Sequence, residues 1–187
     1  MTVKLTDFAV ELLTEAPELG VVTPRGAPVN INHGTLLSTT IEEWKTVVKC
    51  DRVTLWLLDP ASQKLYNIAS TQLGNSMIAL PMGVGLAGQA AKTGGDVFVK
   101  DAYDDPGFNR AVDAASGYRT KAVCCVPLKS REGSIGSVVA VAQCINKLDA
   151  EATFTTEDAD AIRSMQEKVD RAIDVYLNAP VSVWKRL

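Results

Sequence analysis

The feature that most constrains this chain is a change in its hydrophobic period near residue 50. Across residues 35–49 the apolar side chains repeat at three- and four-residue steps, which predicts an amphipathic helix. Residues 53–59 form a short apolar run that ends at the turn signal Asp59-Pro60, which predicts a strand. A helix followed directly by strands that are joined through turns is typical of an α+β domain.

More strands follow, and the segments between them are turns rather than long crossovers. The predicted strands cover 64–71, 77–81, 97–100, 121–129 and 135–148, and the last is long enough to contain a bulge. A glycine-punctuated stretch at 83–88 leads into a predicted short helix over 86–92. Because hairpins connect the strands, we predict an antiparallel sheet of about six strands with helices on one face.

Proline and glycine content divides the chain into three parts. A short helix is predicted over residues 5–16, and the prolines and glycines of residues 17–33 predict a loop or linker. Residues 1–34 are therefore interpreted as an N-terminal helix and linker, 35–178 as one domain, and 179–187 as a tail. A single helix is predicted over 156–177. Its apolar stripe consists of Ile162, Met165, Val169, Ala172, Ile173 and Tyr176.

Composition argues against several classes of function. The net charge of −3 and the scattered lysines and arginines argue against a nucleic-acid partner. The sequence has no signal peptide and no membrane-span pattern, so we expect a cytoplasmic protein. The four cysteines lie in apolar segments and are predicted to be reduced, buried thiols. With one histidine and no Cys-x-x-Cys pair, we predict no metal site and no cofactor.

An ordered series of motifs runs through residues 35–175. Residues 50–59 read Cys-Asp-Arg-Val-Thr-Leu-Trp-Leu-Leu-Asp, and residues 80–89 read Leu-Pro-Met-Gly-Val-Gly-Leu-Ala-Gly-Gln. Residues 99–109 read Val-Lys-Asp-Ala-Tyr-Asp-Asp-Pro-Gly-Phe-Asn. The series resembles the GAF domains of cyclic-nucleotide phosphodiesterases and cyanobacterial-type adenylyl cyclases. The resemblance implies a six-stranded antiparallel sheet with terminal helices on one face and a lidded pocket on the other, so that 35–178 is the GAF domain.

The resemblance also implies ligand-binding roles for residues on the sheet, at a helix start and in the lid segment, which covers 101–120. They are Thr54, Ser70, Thr71 and Gln143 on the sheet, Leu86 and Ala87 at the helix start, and Asn109, Asp113, Ser116 and Thr120 in the lid. The backbone N–H groups of Leu86 and Ala87 would face a ligand phosphate, because a helix N-terminus favours anions. The alternative is a plain glycine turn into a helix and a solvated loop.

Three positions depart from the family pattern. Several cyclic-nucleotide-binding members have an aromatic residue where this chain has Asn109, and asparagine cannot stack on a purine. Gln143 stands where the family can offer an acid to guanine. Because glutamine both donates and accepts hydrogen bonds, it weakens a prediction of guanine and leaves adenine open. Ala159 replaces the last glutamate of the family signature.

That signature comprises Asn146, Lys147, Phe154 and Asp158. In the family, its lysine and aspartate form an ion pair that joins the last strand to the C-terminal helix. The spacing of Thr155 and Asp158 also predicts a capping box at the start of that helix, and the two roles are compatible.

These observations leave three hypotheses of function. The first is a regulatory sensor of a purine cyclic nucleotide, cAMP or cGMP, with a signalling enzyme as a possible partner. The second is a degenerate pocket in a dimerisation or protein-interaction module, and a homodimer through the terminal helices fits both. The third, a methionine sulfoxide reductase of the GAF type, ranks last because the lid has no cysteine. We find no catalytic residues and predict that the chain is not an enzyme.

Overall fold

The computed structural model describes residues 31–73, 78–130, 137–150 and 152–178. The helices are α1 (Ile31–Val48), α2 (Gly85–Thr93), α3 (Arg110–Ser116), α4 (Thr156–Ser164) and α5 (Gln166–Asn178). The strands are β1 (Cys50–Asp59), β2 (Lys64–Ser70), β3 (Ala79–Pro81), β4 (Val97–Val99), β5 (Val123–Lys129) and β6 (Val138–Lys147). A 3₁₀ turn, Ala102–Asp104, lies between β4 and α3.

The six strands form one sheet in the order β3-β2-β1-β6-β5-β4, and every neighbouring pair is antiparallel. The α+β class and the six-stranded antiparallel sheet predicted from the sequence are confirmed. The predicted bulge lies at the start of β6, where Leu128 pairs with Ala140 and Lys129 with Val138. A second bulge interrupts the pairing of β1 and β2, between Leu55 and Trp56. Because a bulge increases the local twist, both help the sheet to curl.

One face of the sheet carries the main apolar core. Trp44 of α1 is fully buried, and its indole N–H donates to the carbonyl of Ile162 in α4. The core side chains from the strands and helices include Leu37, Ile41, Val48, Val53, Leu55, Val126, Leu128, Ala142, Val169 and Ile173. The chain through α4 and α5 runs antiparallel to α1, as three successive contacts show. Lys147 bonds both Val48 and Asp158, Trp44 bonds Ile162, and Glu43 forms an ion pair with Lys168. Residues 31 and 178 therefore lie toward the same end of the domain.

The other face is covered by α2 and by the segment that contains the 3₁₀ turn and α3. Its smaller apolar cluster joins Trp56, Val123, Cys125 and Val141 of the sheet to Leu86, Ala87, Ala90 and Ala91 of α2 and to Ala102. The alanines of α2 let this helix approach the sheet closely. No helix in the described ranges has the length and apolar content needed to cross a membrane.

Two predicted boundaries were wrong. The first long helix begins at Ile31 rather than at residue 35, so the predicted linker is helical at 31–33. The predicted C-terminal helix is two helices, because at Met165 the backbone N–H bonds the carbonyl of Ile162, three residues earlier. Neither glycine nor proline marks this break. The predicted helix over 5–16, the linker up to residue 30 and the tail at 179–187 lie outside the described residues.

Candidate functional site

A row of polar side chains lies on the sheet face that α2 covers. Thr54 of β1 is paired with Ser70 of β2 on one side and with Gln143 of β6 on the other. The hydroxyl groups of Thr54 and Ser70 are 3.1 Å apart. We call Thr54, Ser70 and Gln143 the floor. Side chains that pair directly across antiparallel strands share a face, so the register brings these three predicted site residues together.

Trp56 lies beside the floor and was not among the site residues predicted from the sequence. Its side chain shares the face of Thr54, because the two residues are separated by one position on β1. The indole N–H of Trp56 donates to Oε1 of Gln143 at 2.9 Å. Its position two residues after Thr54 in the predicted strand was the signal that could have found it.

Thr71 lies just beyond the floor and bonds with the backbone of β1. Its hydroxyl accepts a hydrogen bond from the N–H of Val53 at 3.1 Å, so it extends the pairing of β1 and β2 past the end of β2. The structure therefore separates Thr71 from the other predicted sheet residues. Its hydroxyl stabilises the strand pair.

Helix α2 begins beside this face without a side-chain cap. Leu86 and Ala87 are buried in its first turn, and Val84 at the N-cap position offers no side-chain oxygen. The first N–H groups of a helix have no partner within the helix, so this end attracts an anion. Gly88 lets α2 pack against the backbone at Pro81, since a Cβ at residue 88 would lie 2.8 Å from the carbonyl oxygen of Pro81.

The lid, residues 101–120, is closed at its base by backbone and side-chain bonds. The N–H of Ala102 donates to the carbonyl of Lys121 at 2.8 Å, which joins the two ends of the segment. Near the same place Arg119 forms an ion pair with Asp101 and stacks on the ring of Tyr103, 3.4 Å from its centroid. The lid is thus a folded unit with its own internal contacts.

The four predicted lid residues contribute to these internal contacts. Asp113 is buried, and its carboxylate accepts from the N–H of Thr120 at 2.6 Å and from its hydroxyl at 2.8 Å. Asn109 caps α3 by accepting from the N–H of Ala111 at 3.0 Å. The hydroxyl of Ser116 donates to the carbonyl of Asp113 at 3.3 Å. Asp113, Ser116 and Thr120 therefore lie together, while Asn109 lies at the start of α3.

Asn146 fastens the end of the lid to the sheet. It has a left-handed backbone conformation with a φ of 57°, which asparagine adopts more readily than most residues. Its side chain accepts from the N–H of Lys121 at 2.7 Å and donates to the carbonyl of Arg119 at 2.9 Å and the hydroxyl of Tyr118 at 2.8 Å. Tyr118 in turn donates to the carboxylate of Asp51 in β1. Asn146 therefore stabilises the attachment of the lid to the sheet.

Lys147 connects the sheet to the helices on the opposite side. Its Nζ lies 2.5 Å from Oδ1 of Asp158 and donates to the carbonyl of Val48 at 2.7 Å. Asp158 also accepts from the N–H of Thr155 at 3.0 Å, so one carboxylate serves the ion pair and the helix cap. Burial lowers the pKa of Lys147, but the bonds to Asp158 and Asp149 outweigh burial and raise it above its ordinary value. Phe154 is buried nearby, with Lys147 Nζ 5.7 Å from its ring centroid.

The four cysteines are buried free thiols, as predicted. Burial raises the pKa of the Cys124 and Cys125 thiols well above the ordinary value. A hydrogen bond with Cys50, together with burial, raises the pKa of Cys144 in the same direction. The thiolate, which is the nucleophilic form, is therefore disfavoured at these three positions.

This arrangement agrees with a family comparison. A family model described as the GAF domain matches residues 32–173, a range that contains all six strands and all or most of each described helix. The chain belongs to the GAF domain family. The uncapped start of α2, the floor and the lid are thus parts of a GAF domain, and the resemblance seen in the sequence motifs is confirmed.

Two curated relatives of this GAF domain are phosphodiesterases. It is 33% identical over 127 residues to a probable 3′,5′-cyclic phosphodiesterase of Caenorhabditis elegans, covering 62% of this chain and 17% of that protein. It is 35% identical over 107 residues to a cGMP-specific 3′,5′-cyclic phosphodiesterase of Drosophila ananassae, covering 57% and 9%. The chain therefore spans less than a fifth of the length of either relative.

A solved structure with the same fold comes from a different functional class. The free methionine-R-sulfoxide reductase of Neisseria meningitidis, in complex with its substrate, superposes with a TM-score of 0.60 at 22% identity. The superposition covers 81% of this chain and 83% of the reductase. The likeness concerns the fold, since the two sequences are distant.

Proposed function

We propose that this GAF domain is a regulatory module that binds a purine cyclic nucleotide, cAMP or cGMP, between the floor and the lid. The observation that carries the proposal is the polar floor, which lies on the same face as an uncapped helix N-terminus. Thr54, Ser70 and Gln143 would meet the base, and the first N–H groups of α2 would meet the cyclic phosphate. The phosphodiesterase relatives support the same ligand class.

The proposed output is exerted through a partner, because we assign no catalytic role to this chain. The three cysteines with raised pKa values are poor nucleophiles, and the lid contains no cysteine. A signalling enzyme is the proposed partner, and a homodimer through the terminal helices is the proposed assembly. Incubation with free methionine sulfoxide and a thiol reductant tests the enzymatic alternative, and turnover would overturn the non-catalytic assignment.

Isothermal titration of the full chain with cAMP and cGMP tests the proposal directly. We expect saturable binding of at least one of them and no competition by free methionine sulfoxide. The matched control is a titration with adenosine and guanosine, which lack the phosphate that the start of α2 would hold. No heat with either cyclic nucleotide at millimolar concentration would overturn the sensor proposal.

A second candidate function is a scaffold or dimerisation module whose pocket is degenerate. The observation that favours it is the internal bonding of the lid. Asn109 accepts from the backbone N–H of Ala111, and Asp113 accepts from the N–H and hydroxyl of Thr120. Ala159 is also packed in the core where the family signature has a glutamate. The titration with cAMP and cGMP separates the two candidates, because a scaffold would bind neither nucleotide while sedimentation analysis would still show a stable dimer.

A further inference from the structure

We propose that the open edge of β4 is a self-association surface. There, β4 of a second copy of this chain adds in antiparallel register about a two-fold axis at Phe98, so that one sheet continues across two domains. This surface is separate from the terminal helices and from the floor. The inference therefore goes beyond the proposed function and does not depend on a nucleotide.

Strand β4 combines an open edge with an exposed apolar side chain. It is the outermost strand on its side of the sheet, and no further strand pairs with it in the described ranges. Its three residues, Val97, Phe98 and Val99, are all apolar, and Phe98 is 38% exposed. An outermost strand presents unpaired N–H and carbonyl groups, which are a template for a strand of another chain.

The hydrogen bonds of β5 show which groups of β4 are free. The N–H of Asn146 donates to the carbonyl of Ala122 at 2.8 Å, and Cys144 lies opposite Cys124 two residues further along. Because hydrogen-bonded pairs recur at every second residue of an antiparallel ladder, Cys124 directs its backbone groups to β6. The residues on either side of Cys124 therefore direct theirs to β4.

Those two residues of β5 pair with Val97 and Val99. The backbone groups of Val97 and Val99 are thus used within the sheet, whereas the N–H and carbonyl of Phe98 point to the open edge. In a two-fold pair centred on Phe98, each Phe98 N–H would donate to the Phe98 carbonyl of the other copy.

The opposite edge of the sheet is protected. Strand β3 ends at Pro81, which has no N–H, and the carbonyl of Pro81 accepts from the N–H of Val84 at 3.0 Å. Proline on an edge strand is a common means of preventing strand addition. Since β4 contains no proline, it is the edge at which a strand can add.

The charges beside β4 favour a second copy as the occupant. Asp96 precedes the strand and Lys100 follows it, so a two-fold axis at Phe98 places each Asp96 opposite Lys100 of the other copy. The same register places Val97 opposite Val99. Opposite charges and aromatic side chains both stabilise a sheet when they pair across strands. An axis at either valine would instead place a charge opposite Phe98.

Both charges are accessible for this pairing. Oδ1 of Asp96 accepts from Arg163 of α4, and the Asp96 side chain remains 19% exposed. Lys100 is exposed and has no ion-pair partner among the described residues. Asp96, Phe98 and Lys100 share one face by the alternation of the strand, which is the face of the main apolar core because Phe98 pairs with Cys124. Arg163 thus holds Asp96 on the face where Lys100 of a second copy would lie.

The surface is small, so we expect weak association that depends on concentration. A pairing of three residues buries less area than a standard protein interface, and small interfaces are typical of transient contacts. Sedimentation of the full chain over a range of concentrations should show this association. Phe98→Pro removes the outward N–H but leaves Val97 and Val99 bonded to β5, and it should weaken the association.

A thiol at the proposed axis tests the contact itself. In Phe98→Cys the two introduced thiols would meet, because the Cα atoms of a hydrogen-bonded cross-strand pair are about 5.5 Å apart, a separation that a disulfide spans. Diamide oxidises the pair by taking one hydrogen from each thiol, and non-reducing electrophoresis measures the linked dimer. The matched controls are Val47→Cys and Leu148→Cys, since both side chains are more exposed than Phe98 and lie outside β4.

We expect Phe98→Cys to cross-link about tenfold or more faster than either control, because pairing raises the effective concentration of the two thiols. The unmodified protein, whose four cysteines are buried, gives the background rate. Thermal unfolding of each variant confirms that the rates are measured on folded protein.

Two further variants test the register in the Phe98→Cys chain. Lys100→Glu places a glutamate opposite Asp96 of the other copy and should slow cross-linking about fivefold or more, because two like-charge pairs replace two opposite ones. Lys92→Glu makes the same change of charge at an exposed position of α2 and should leave the rate unchanged. Equal slowing by both variants would overturn the assigned register.

Cross-linking of Phe98→Cys at the rate of the controls would overturn the inference, as would sedimentation of Phe98→Pro that matches the unmodified protein. A dimer formed through the terminal helices alone would give both of these results. They would leave the proposed nucleotide sensor intact, since titration with cAMP and cGMP tests that proposal separately.

Discussion

The lid and the floor both carry polar side chains, but they use them in different ways. In the lid, the carboxylate of Asp113 binds two groups of Thr120, and Asn109 caps its own helix. In the floor, the hydroxyl groups of Thr54 and Ser70 bond each other, and Oε1 of Gln143 accepts from the indole of Trp56. The polar groups of the lid hold the lid in its fold, whereas we propose that those of the floor also contact a ligand. Substitutions in the two regions should therefore separate stability from binding.

The largest expected loss of stability comes from a substitution outside the lid and the floor. Lys147→Ala removes the cation that pairs with Asp158 and bonds the last carbonyl of α1 at Val48. A buried ion pair that loses one partner typically destabilises by about 3 kcal/mol, because the other charge stays buried. Urea unfolding should show this loss, and cyclic-nucleotide affinity should change little in the remaining folded protein.

The control for Lys147 is Lys168→Ala, which breaks an exposed pair with Glu43 and should cost less than about 1 kcal/mol. The raised pKa of Lys147 adds a pH test. Its stabilising effect is fully present below the unfolded lysine pKa of about 10.4 and is lost as the pH rises through the higher folded value. A melting temperature unchanged by Lys147→Ala would contradict the assigned role.

A lid variant should lower stability by a smaller amount. Asp113→Ala leaves the backbone N–H and hydroxyl of Thr120 without their acceptor, and we expect a loss of about 2 kcal/mol in urea unfolding. Nucleotide affinity should fall as a secondary effect, because the lid loses its fold. Asp104→Ala is the control on the same segment, since Asp104 is exposed. Equal effects of the two variants would mean that the bonds from Asp113 to Thr120 do not stabilise the lid.

Helix α2, which packs on the same sheet face as the floor, should affect both stability and binding. A Cβ in Gly88→Ala would press on the carbonyl of Pro81, so α2 must shift at a cost of about 1–3 kcal/mol. The same shift moves the helix start away from the proposed phosphate position and should weaken binding of cGMP and cAMP alike. Gly95→Ala is the matched control, because the nearest atom to its Cβ would be Thr93 Oγ1 at 3.8 Å. If Gly88→Ala bound as tightly as Gly95→Ala, the phosphate assignment would be wrong.

The smallest effect on stability is expected in the floor. Thr54→Val keeps the shape of the side chain and removes its hydroxyl, so the free energy of unfolding should fall by about 1 kcal/mol or less. Nucleotide affinity should fall about fivefold or more, since the base contact is lost. Thr46→Val on the exposed side of α1 is the control for the substitution itself. A loss of stability equal to that of Asp113→Ala with unchanged affinity would reverse the proposed contrast.

The sequence predicted the elements of the fold closely, because each depends on local patterns. The strands begin and end within a few residues of the predicted positions, and the helix from Gly85 follows from the glycine turn before it. The break at Met165 has no such local signal, since neither glycine nor proline lies there. The early start of α1 at Ile31 was missed because the preceding prolines and glycines favoured a linker.

The site was harder to predict because its contacts depend on register. Thr54, Ser70 and Gln143 were chosen by resemblance, and only the pairing of β1 with β2 and β6 brings them together. The bond from Trp56 to Gln143 joins residues far apart in the chain, so no local pattern contains it. The same holds for Asn146, whose bonds reach back to the end of the lid at Arg119.

The antiparallel arrangement of α1 and α5 has a practical consequence for protein engineering. Residues 31 and 178 lie toward the same end of the domain, on the face away from the lid. Domains whose ends lie close together tolerate insertion into a surface loop of a host protein. Residues 31–178 are thus suited to insertion into a fluorescent or enzymatic reporter. If a ligand binds at the floor as proposed, the signal of the reporter should change.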